Sequence, residues 1–483
     1  MSGIVEDKHL LQLYAETISS ANLNISKVCA VGRALGRAGL HQQHLRCFDL
    51  AVTAMNALVS SGYVDTALQV EQVVYECFVK QTESEQHYFE SFQRWTKLFA
   101  TSAEQLTLPP LEDADPQKVC FFLHSGFFLG HTSVLLQTLR DWQQDPYSRS
   151  DVYVAILTKS DENFVSELKL CGAQVLTPSP TKQKKHQMLA ADILDIRMQL
   201  QTQGIGTIVW VSVPTLASYA LNLPMAPRQV FWSLKLHPLH LSKVKTHICG
   251  GHIDEKIRIY NRKEWAVCSF PLTGGYGEND LQSVATIKAN YSKYKVLLGS
   301  LAREEKFNSP EFLDCLVSIL KKHPTAKFIY SGRQNAGALV RAAEAAGVLK
   351  QVEFIGWVDT NLYAEVIDIF LETFPFGCGI TALQAMSHTT PVLSYNAEDT
   401  IFGYQLKGGI PAAEYMGMSN NDFENLPVMT GRDSKHYIHL ATRLIDDVHF
   451  RRQIGERQRA HFEKQRADSF ECSRRLRTLI VGD

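Results

Sequence analysis

The sequence lacks paired cysteines, a bias of charge and a membrane-length apolar span, and each absence removes a class of function. Its ten cysteines are scattered with no C-x-x-C pair, and several sit inside apolar runs, where a thiol behaves as a small hydrophobe. A zinc ribbon or a disulfide scaffold is therefore not expected, and the thiols read as reduced ones in a cytoplasmic protein with no metal site. Lys plus Arg number 49 against 50 Asp plus Glu, a net charge of −1, so neither a nucleic-acid nor an acidic-membrane partner is expected. The N-terminus, MSGIVEDKHLLQLYAETISS, has acidic residues early and no apolar core flanked by basic ones, so it does not read as a signal peptide. No Walker pattern occurs, which leaves a nucleoside triphosphatase without support. The stretch Val119 to Leu139 is free of Asp, Glu, Lys and Arg. Its His, Gly, Ser, Thr and Gln residues nevertheless fit a strand, a glycine loop and a helix start better than a transmembrane helix.

What is present is a long chain of ordinary globular composition, 483 residues with 45% apolar and 20% charged. That is too long for one hydrophobic core. Residues 1–110 carry Leu, Val, Ala and Phe at helical spacing and read as an all-helical N-terminal domain. Breaks fall near Gly39 and at SSGYVD, where Asp65 is placed to cap the next helix. The Pro- and acid-rich TLPPLEDADPQ reads as a linker. From 118 to 285, short apolar runs (VCFFLH, DVYVAILT, AQVLTP, TIVWVSV, RQVFWSL, AVCSFPL) alternate with helical segments. This is the rhythm of a parallel sheet with covering helices. The polar TGGYGENDLQSVATIKANYSK reads as a connection. A second series of the same kind runs from 290 to 460, and 461–483 reads as a helical tail. Two doubly wound α/β domains in tandem predict a cleft, with ligands at the carboxyl ends of the strands.

The most informative stretch is LETFPFGCGITALQ, residues 371–384. Gly377 and Gly379 permit positive φ and close backbone approach, and a helix starting near Thr381 aims its first N–H groups back into the bend. Free donors at the positive end of a helix dipole make an anion site. A second reading stands beside this one. Thr381 and Gln384 have the T-x-x-Q spacing of a capping box, which merely satisfies the helix start.

This segment, DIFLETFPFG…ALQAM…TPVLS, resembles the donor-binding segment of GT-B glycosyltransferases. Among these it is most similar to the O-linked N-acetylglucosamine transferases and the bacterial cytoplasmic N-glycosyltransferases that glucosylate adhesins. The resemblance implies two Rossmann-like domains facing a cleft, behind the all-helical domain. It implies a bend from Gly377 through Cys378, Gly379, Ile380 and Thr381 that wraps the diphosphate of a UDP-sugar. Ile380 stands where a hydroxyl residue is usual, and Gln384 where a carboxylate usually meets the ribose.

SLAREEKFNSPEFL is similar to the segment carrying the family's phosphate-binding lysine, which matches Lys306, with Arg303 nearby. FLHSGFFLGHTSVLLQTL resembles the first glycine loop, matching His131, which is placed to hydrogen-bond the donor phosphates or the acceptor or to accept a proton, and placing His124 at the strand end. NLPMAPRQVFWSLKLHPLH matches His237, with Lys235 on the same wall. The donor base is expected against the backbone of Trp357 and Val358. Ser331 and Arg333 either line the same cleft or form a solvent-facing turn.

The implied reaction is a metal-independent, inverting transfer of a hexose (glucose, galactose or N-acetylglucosamine) from a UDP-sugar to a protein or peptide side chain. It needs no cofactor, since the UDP-sugar is a substrate. The pair Asp113 and Asp115 imitates a metal-binding D-x-D but lies in the linker. Two other readings remain open: a catalytically silent glycosyltransferase-like subunit, favoured by Ile380 and Gln384, and nucleotide-sugar epimerisation on the same fold. The helical N-terminal region is either an acceptor-docking module by analogy or a packing layer.

Overall fold

The structure is a computed structural model. It describes all residues except 1, 21–23, 38–39, 78–84, 105, 110, 112, 146–150, 180–188, 235–238, 240, 251–255, 261–262, 270–277, 308, 375–376, 396–428, 468 and 483. The chain divides into two compact units. The first comprises Met1–Cys249, Ile257–Ala266 and Leu476–Asp483, and the second Gly250–Lys256 and Val267–Arg475.

The first unit opens with helices Ser2–Ile18, Ile25–Arg37, His41–Ser60, Val64–Cys77, Glu85–Leu98 and Ala100–Glu104. An eight-stranded sheet follows: β1 (Asp115–Leu123), β2 (Val152–Ile156), β3 (Gln174–Leu176), β4 (Ile205–Val211), β5 (Arg228–Ser233), β6 (Thr246–Cys249), β7 (Ile257–Tyr260) and β8 (Lys263–Val267). Their order is β3-β2-β1-β4-β5-β6-β8-β7. Strands β1 to β6 pair in parallel. The run expected as a further parallel strand at AVCSFPL contributes only its start to β8, which pairs antiparallel with β7. β6 and β7 are four residues each, too short to leave a periodic signature, and Ile257 and Ile259 of β7 face out. Val119 to Leu139 is the buried half of β1, a loop and the start of helix Gly130–Gln144. No helix among the described residues is long and apolar enough to cross a membrane. All ten cysteines are free and buried.

One buried carboxylate ties the helices to this sheet. Asp65 does not cap its own helix; it accepts the N–H of Ala190 at 2.7 Å. One turn and a half further on, the fully buried Glu71 accepts the N–H of Leu216 and the hydroxyl of Ser218, both at 2.7 Å. Leu216 ends the loop after β4 and Ser218 lies in the short helix Ala217–Ala220 that follows; in that loop Ser212 and Leu216 hold φ of 64° and 66°. Non-glycine residues persist in that region only when their surroundings fix them.

The second unit carries six strands: β9 (Val296–Ser300), β10 (Ala326–Tyr330), β11 (Val352–Phe354), β12 (Ile369–Leu371), β13 (Val392–Tyr395) and β14 (Met429–Gly431). They pair in parallel in the order β11-β10-β9-β12-β13-β14. Their alternation serves two cores. Leu298, Phe328, Tyr330, Leu371 and Leu393 pack on one face, and Leu297, Ile329, Phe370 and Val392 on the other. Full burial of each such side chain contributes roughly 1.5–3 kcal/mol. Gln458, on helix Val448–Ala467, bonds both the N–H and the carbonyl of Val392 at 2.7 and 2.9 Å. The segment read as a connection at 273–293 is helical over Leu281–Asn290, capped by Asp280, which accepts the N–H of Ser283 at 2.9 Å.

Burial pushes the Glu71 carboxyl up to about 7. The native state then holds a proton that the unfolded chain has already released, so stability falls as pH rises from about 4.5 to about 7 and is level above that. The cost at neutral pH is about 3 kcal/mol. Glu71→Gln should flatten this slope, as read by urea unfolding between about pH 5 and pH 8. An unchanged slope would remove Glu71 as its source.

Candidate functional site

In the second sheet the order of strands reverses between β9 and β12, so the connections leaving those neighbours diverge and open a crevice at their carboxyl ends. The segments leaving β9 and β12 meet there. After β9 the chain runs through Leu301 into the short helix Glu304–Phe307, which carries Lys306. After β12 it runs through Glu372 and Thr373 into the bend, and Gly379 precedes helix Ile380–Ser387. The half-buried Lys306 ammonium donates to the carbonyl of Gly377. The hydroxyl of Thr381 donates to the carbonyl of Leu301 at 2.7 Å. Two bonds thus join the two segments across the switch point.

The turn is built on Gly379, with φ 57° and ψ −116°, a conformation closed to side chains with a Cβ. It is the residue before the helix, and its carbonyl accepts the N–H groups of Ala382 and Leu383 at 3.0 and 3.1 Å. The T-x-x-Q capping box is therefore not formed. Thr381 is inside the helix with its hydroxyl committed to Leu301, and the Gln384 side-chain oxygen accepts the hydroxyl of Thr360 at 2.8 Å. The first N–H groups of a helix have no intrahelical acceptor, and here they open beside an ammonium. That pairing suits an anion. Burial raises the Cys378 thiol above its usual range, with Lys306 opposing. The thiol is a packed hydrophobe at neutral pH and not a nucleophile.

Aromatic packing fixes both sides of the crevice. Phe307, next to Lys306, is fully buried against Phe312 and Tyr330, with ring centroids 6.2 and 5.2 Å away. Phe312 in turn meets the edge of Phe374 at 5.3 Å, and Phe374 stacks on Tyr395 at 4.0 Å. The lysine helix and the bend are therefore keyed to one cluster.

The neighbouring strand ends join the same rim. The Ser331 hydroxyl donates to Ala302 at 3.3 Å, and the N–H of Gly332 donates to Gly356 at 3.1 Å. The N–H of Arg333 donates to Glu304 at 3.1 Å. The Arg333 guanidinium lies 5.5 Å from the centre of the Trp357 ring, which is 68% exposed. Ser331 is buried while Arg333 is exposed. Val358 is half-buried beside Trp357. Glu372, Ser394 and Thr360, which hold the bend and its helix, were not singled out from the sequence. A lone acid between apolar residues, LETF, is their one visible signal.

In the first unit the same strand order places a switch point between β1 and β4. The loop after β1 begins at His124, whose carbonyl accepts the N–H and hydroxyl of Thr158 at 3.1 and 2.6 Å. Gly126 pairs with Ser160, and a Cβ there would lie 2.9 Å from the Ser160 Cβ, so a side chain at this position would push the two segments apart. His131 is the second residue of helix Gly130–Gln144 and is half-buried. Thr132 caps that helix by accepting the N–H of Leu129 at 2.8 Å. Lys235 and His237 lie outside the described residues.

Residues 292–405 match the family described as Glycosyl transferases group 1. In fold, the chain is similar to an O-GlcNAc transferase of Thermobaculum terrenum at 15% identity and a TM-score of 0.57, over 99% of this chain and 98% of that one. It is also similar to HepE of Anabaena, solved in complex with UDP, at 14% identity and a TM-score of 0.53, over 74% and 98%. WaaG, a glycosyltransferase involved in lipopolysaccharide biosynthesis, aligns at 12% identity and a TM-score of 0.50, over 76% and 100%. No curated protein matches the sequence.

Placing a Cβ at position 379 strains the backbone by about 1–3 kcal/mol. Gly379→Ala should therefore melt earlier than wild type in a thermal scan. Equal melting would show that the turn tolerates a side chain.

Proposed function

Taking the chain as a glycosyltransferase with a GT-B fold and a group 1 segment, we propose that it moves a hexose from a UDP-sugar to a protein side chain. The hexose is glucose, galactose or N-acetylglucosamine, and the transfer inverts the anomeric carbon without a metal ion. The observation that carries this is the Lys306 ammonium docked on the Gly377 carbonyl, beside the start of helix Ile380–Ser387. Donor class draws support from HepE, alike in fold, which is solved with UDP and with UDP and glucose. Likeness along nearly the whole chain to an O-GlcNAc transferase, helical region included, supports a protein acceptor.

The chemistry follows from charge. The acceptor oxygen or nitrogen attacks C1 of the sugar, the C1–O bond to the β-phosphate breaks, and UDP leaves with the electron pair. Negative charge grows on the departing diphosphate. An ammonium fixed before the reaction, together with helix N–H groups, stabilises that charge without reorganising. Lys is suited to this task as a compact cation on a flexible stem. The Thr381 hydroxyl donates to Leu301 and so offers the ligand its backbone N–H. In this proposal the acceptor's proton passes to His131, while His124, Lys235 and His237 belong to the acceptor side. The base of UDP lies at Trp357 and Val358.

A second reading, a binding subunit without turnover, is favoured by Gln384. Its side-chain oxygen is occupied by Thr360, and it brings no charge to the helix. Release of UDP from a panel of UDP-sugars separates the two. Wild type should turn over at least one donor with acceptor present. Lys306→Ala should lose at least about tenfold in rate, on the order of 1.4 kcal/mol of transition-state stabilisation. Binding without turnover supports the silent subunit, an epimer formed from donor alone supports epimerisation, and full activity in a folded Lys306→Ala removes the lysine from the mechanism.

A further inference from the structure

We propose that Glu372 is a positioning residue for the diphosphate end of the donor, its buried carboxylate deciding which amides of the bend meet the ligand. The inference rests on the donor reading above and concerns how the same site is built.

Glu372 follows β12 and is 2% exposed, a burial that an acid tolerates only when its oxygens are hydrogen-bonded. One carboxylate oxygen accepts the N–H of Cys378 at 2.9 Å, and the other accepts the hydroxyl of Ser394 on β13. Its backbone is held as well. The N–H donates to Leu393 at 2.9 Å, and the carbonyl accepts the Tyr437 hydroxyl at 3.4 Å. The residue is thereby fixed to β13 and to helix Ser434–Asp446, and from there its side chain reaches six residues ahead.

The consequence is directional. Because Cys378 gives its N–H to Glu372, that amide points into the protein and is withheld from any anion. The chain then reverses at Gly379. The N–H groups of Ala382 and Leu383 return to the Gly379 carbonyl, which leaves those of Ile380 and Thr381 at the open tip of the helix. Without the carboxylate the Cys378 amide has no acceptor, and leaving it buried costs more than letting the bend shift. The carboxylate also balances Lys306: the two charges act on the Cys378 thiol in opposite senses.

Three variants test the role by UDP calorimetry, donor KM and kcat, and thermal melting. Glu372→Gln keeps an oxygen for the Cys378 N–H and should bind UDP within about threefold of wild type. Glu372→Ala should raise the UDP Kd and the donor KM at least tenfold, with kcat falling less, at a temperature where circular dichroism shows it folded. If Glu372→Ala does not fold, Glu372→Asp, with its carboxylate drawn back by one methylene, should show at least a threefold rise. Leu320→Ala, a core change at the far end of helix Pro310–Lys322, serves as a control and should melt earlier yet bind UDP normally. A folded Ala or Asp variant with unchanged Kd and KM would overturn the inference, as would a Gln variant as impaired as Ala. A wild type that binds no UDP would instead overturn the donor reading, and the inference with it.

Discussion

At the switch point of the second sheet, an ammonium and a carbonyl 71 residues apart in sequence are brought into contact. The geometry of the crevice depends on that junction. The segments leaving the paired strands β9 and β12 diverge, and side chains bridge them. Lys306 and Thr381 do so in opposite directions, one from the β9 side to the bend and one from the helix back to the β9 side. The result is an ammonium set beside the N–H groups of a helix start, a combination that favours one kind of ligand, a compact anion.

Such a site is useful only if it is rigid before the ligand arrives, since donors that must first reorganise stabilise a transition state less. The protein provides rigidity from below. Phe307, Phe312, Phe374 and Tyr395 form a continuous chain of ring contacts from the lysine helix to β13. Each aromatic pair adds about 0.5–1.5 kcal/mol beyond the area it buries. The first unit shows a parallel arrangement with different chemistry, where Glu71 reaches from the helices to hold a strained loop after β4.

Much of this was legible in the sequence. β1 to β5 and β9 to β13 announce themselves as apolar runs, because both faces of a parallel strand are buried, whereas β14, three residues ending in glycine, does not. Lys306 and the Gly377–Gly379 bend were found through residue type and resemblance, and the structure brings them together. The misses have physical reasons. β6 and β7 are too short to show a period. Thr381 and Gln384 have the spacing of a cap, but spacing does not reveal that Leu301 and Thr360, remote in sequence, compete for their side chains. Asp65 was misread in the same way, its partner Ala190 lying 125 residues on. Glu372 was passed over because a single acid in an apolar run carries no pattern; its importance comes from Cys378 and Ser394, which only the fold supplies.

The account turns on where a diphosphate sits. A crystal structure of the protein with UDP tests that most directly. The account predicts phosphate oxygens within hydrogen-bond distance of the Ile380 and Thr381 amides and of the Lys306 ammonium. Phosphates bound elsewhere, with Lys306 still on the Gly377 carbonyl, would contradict it.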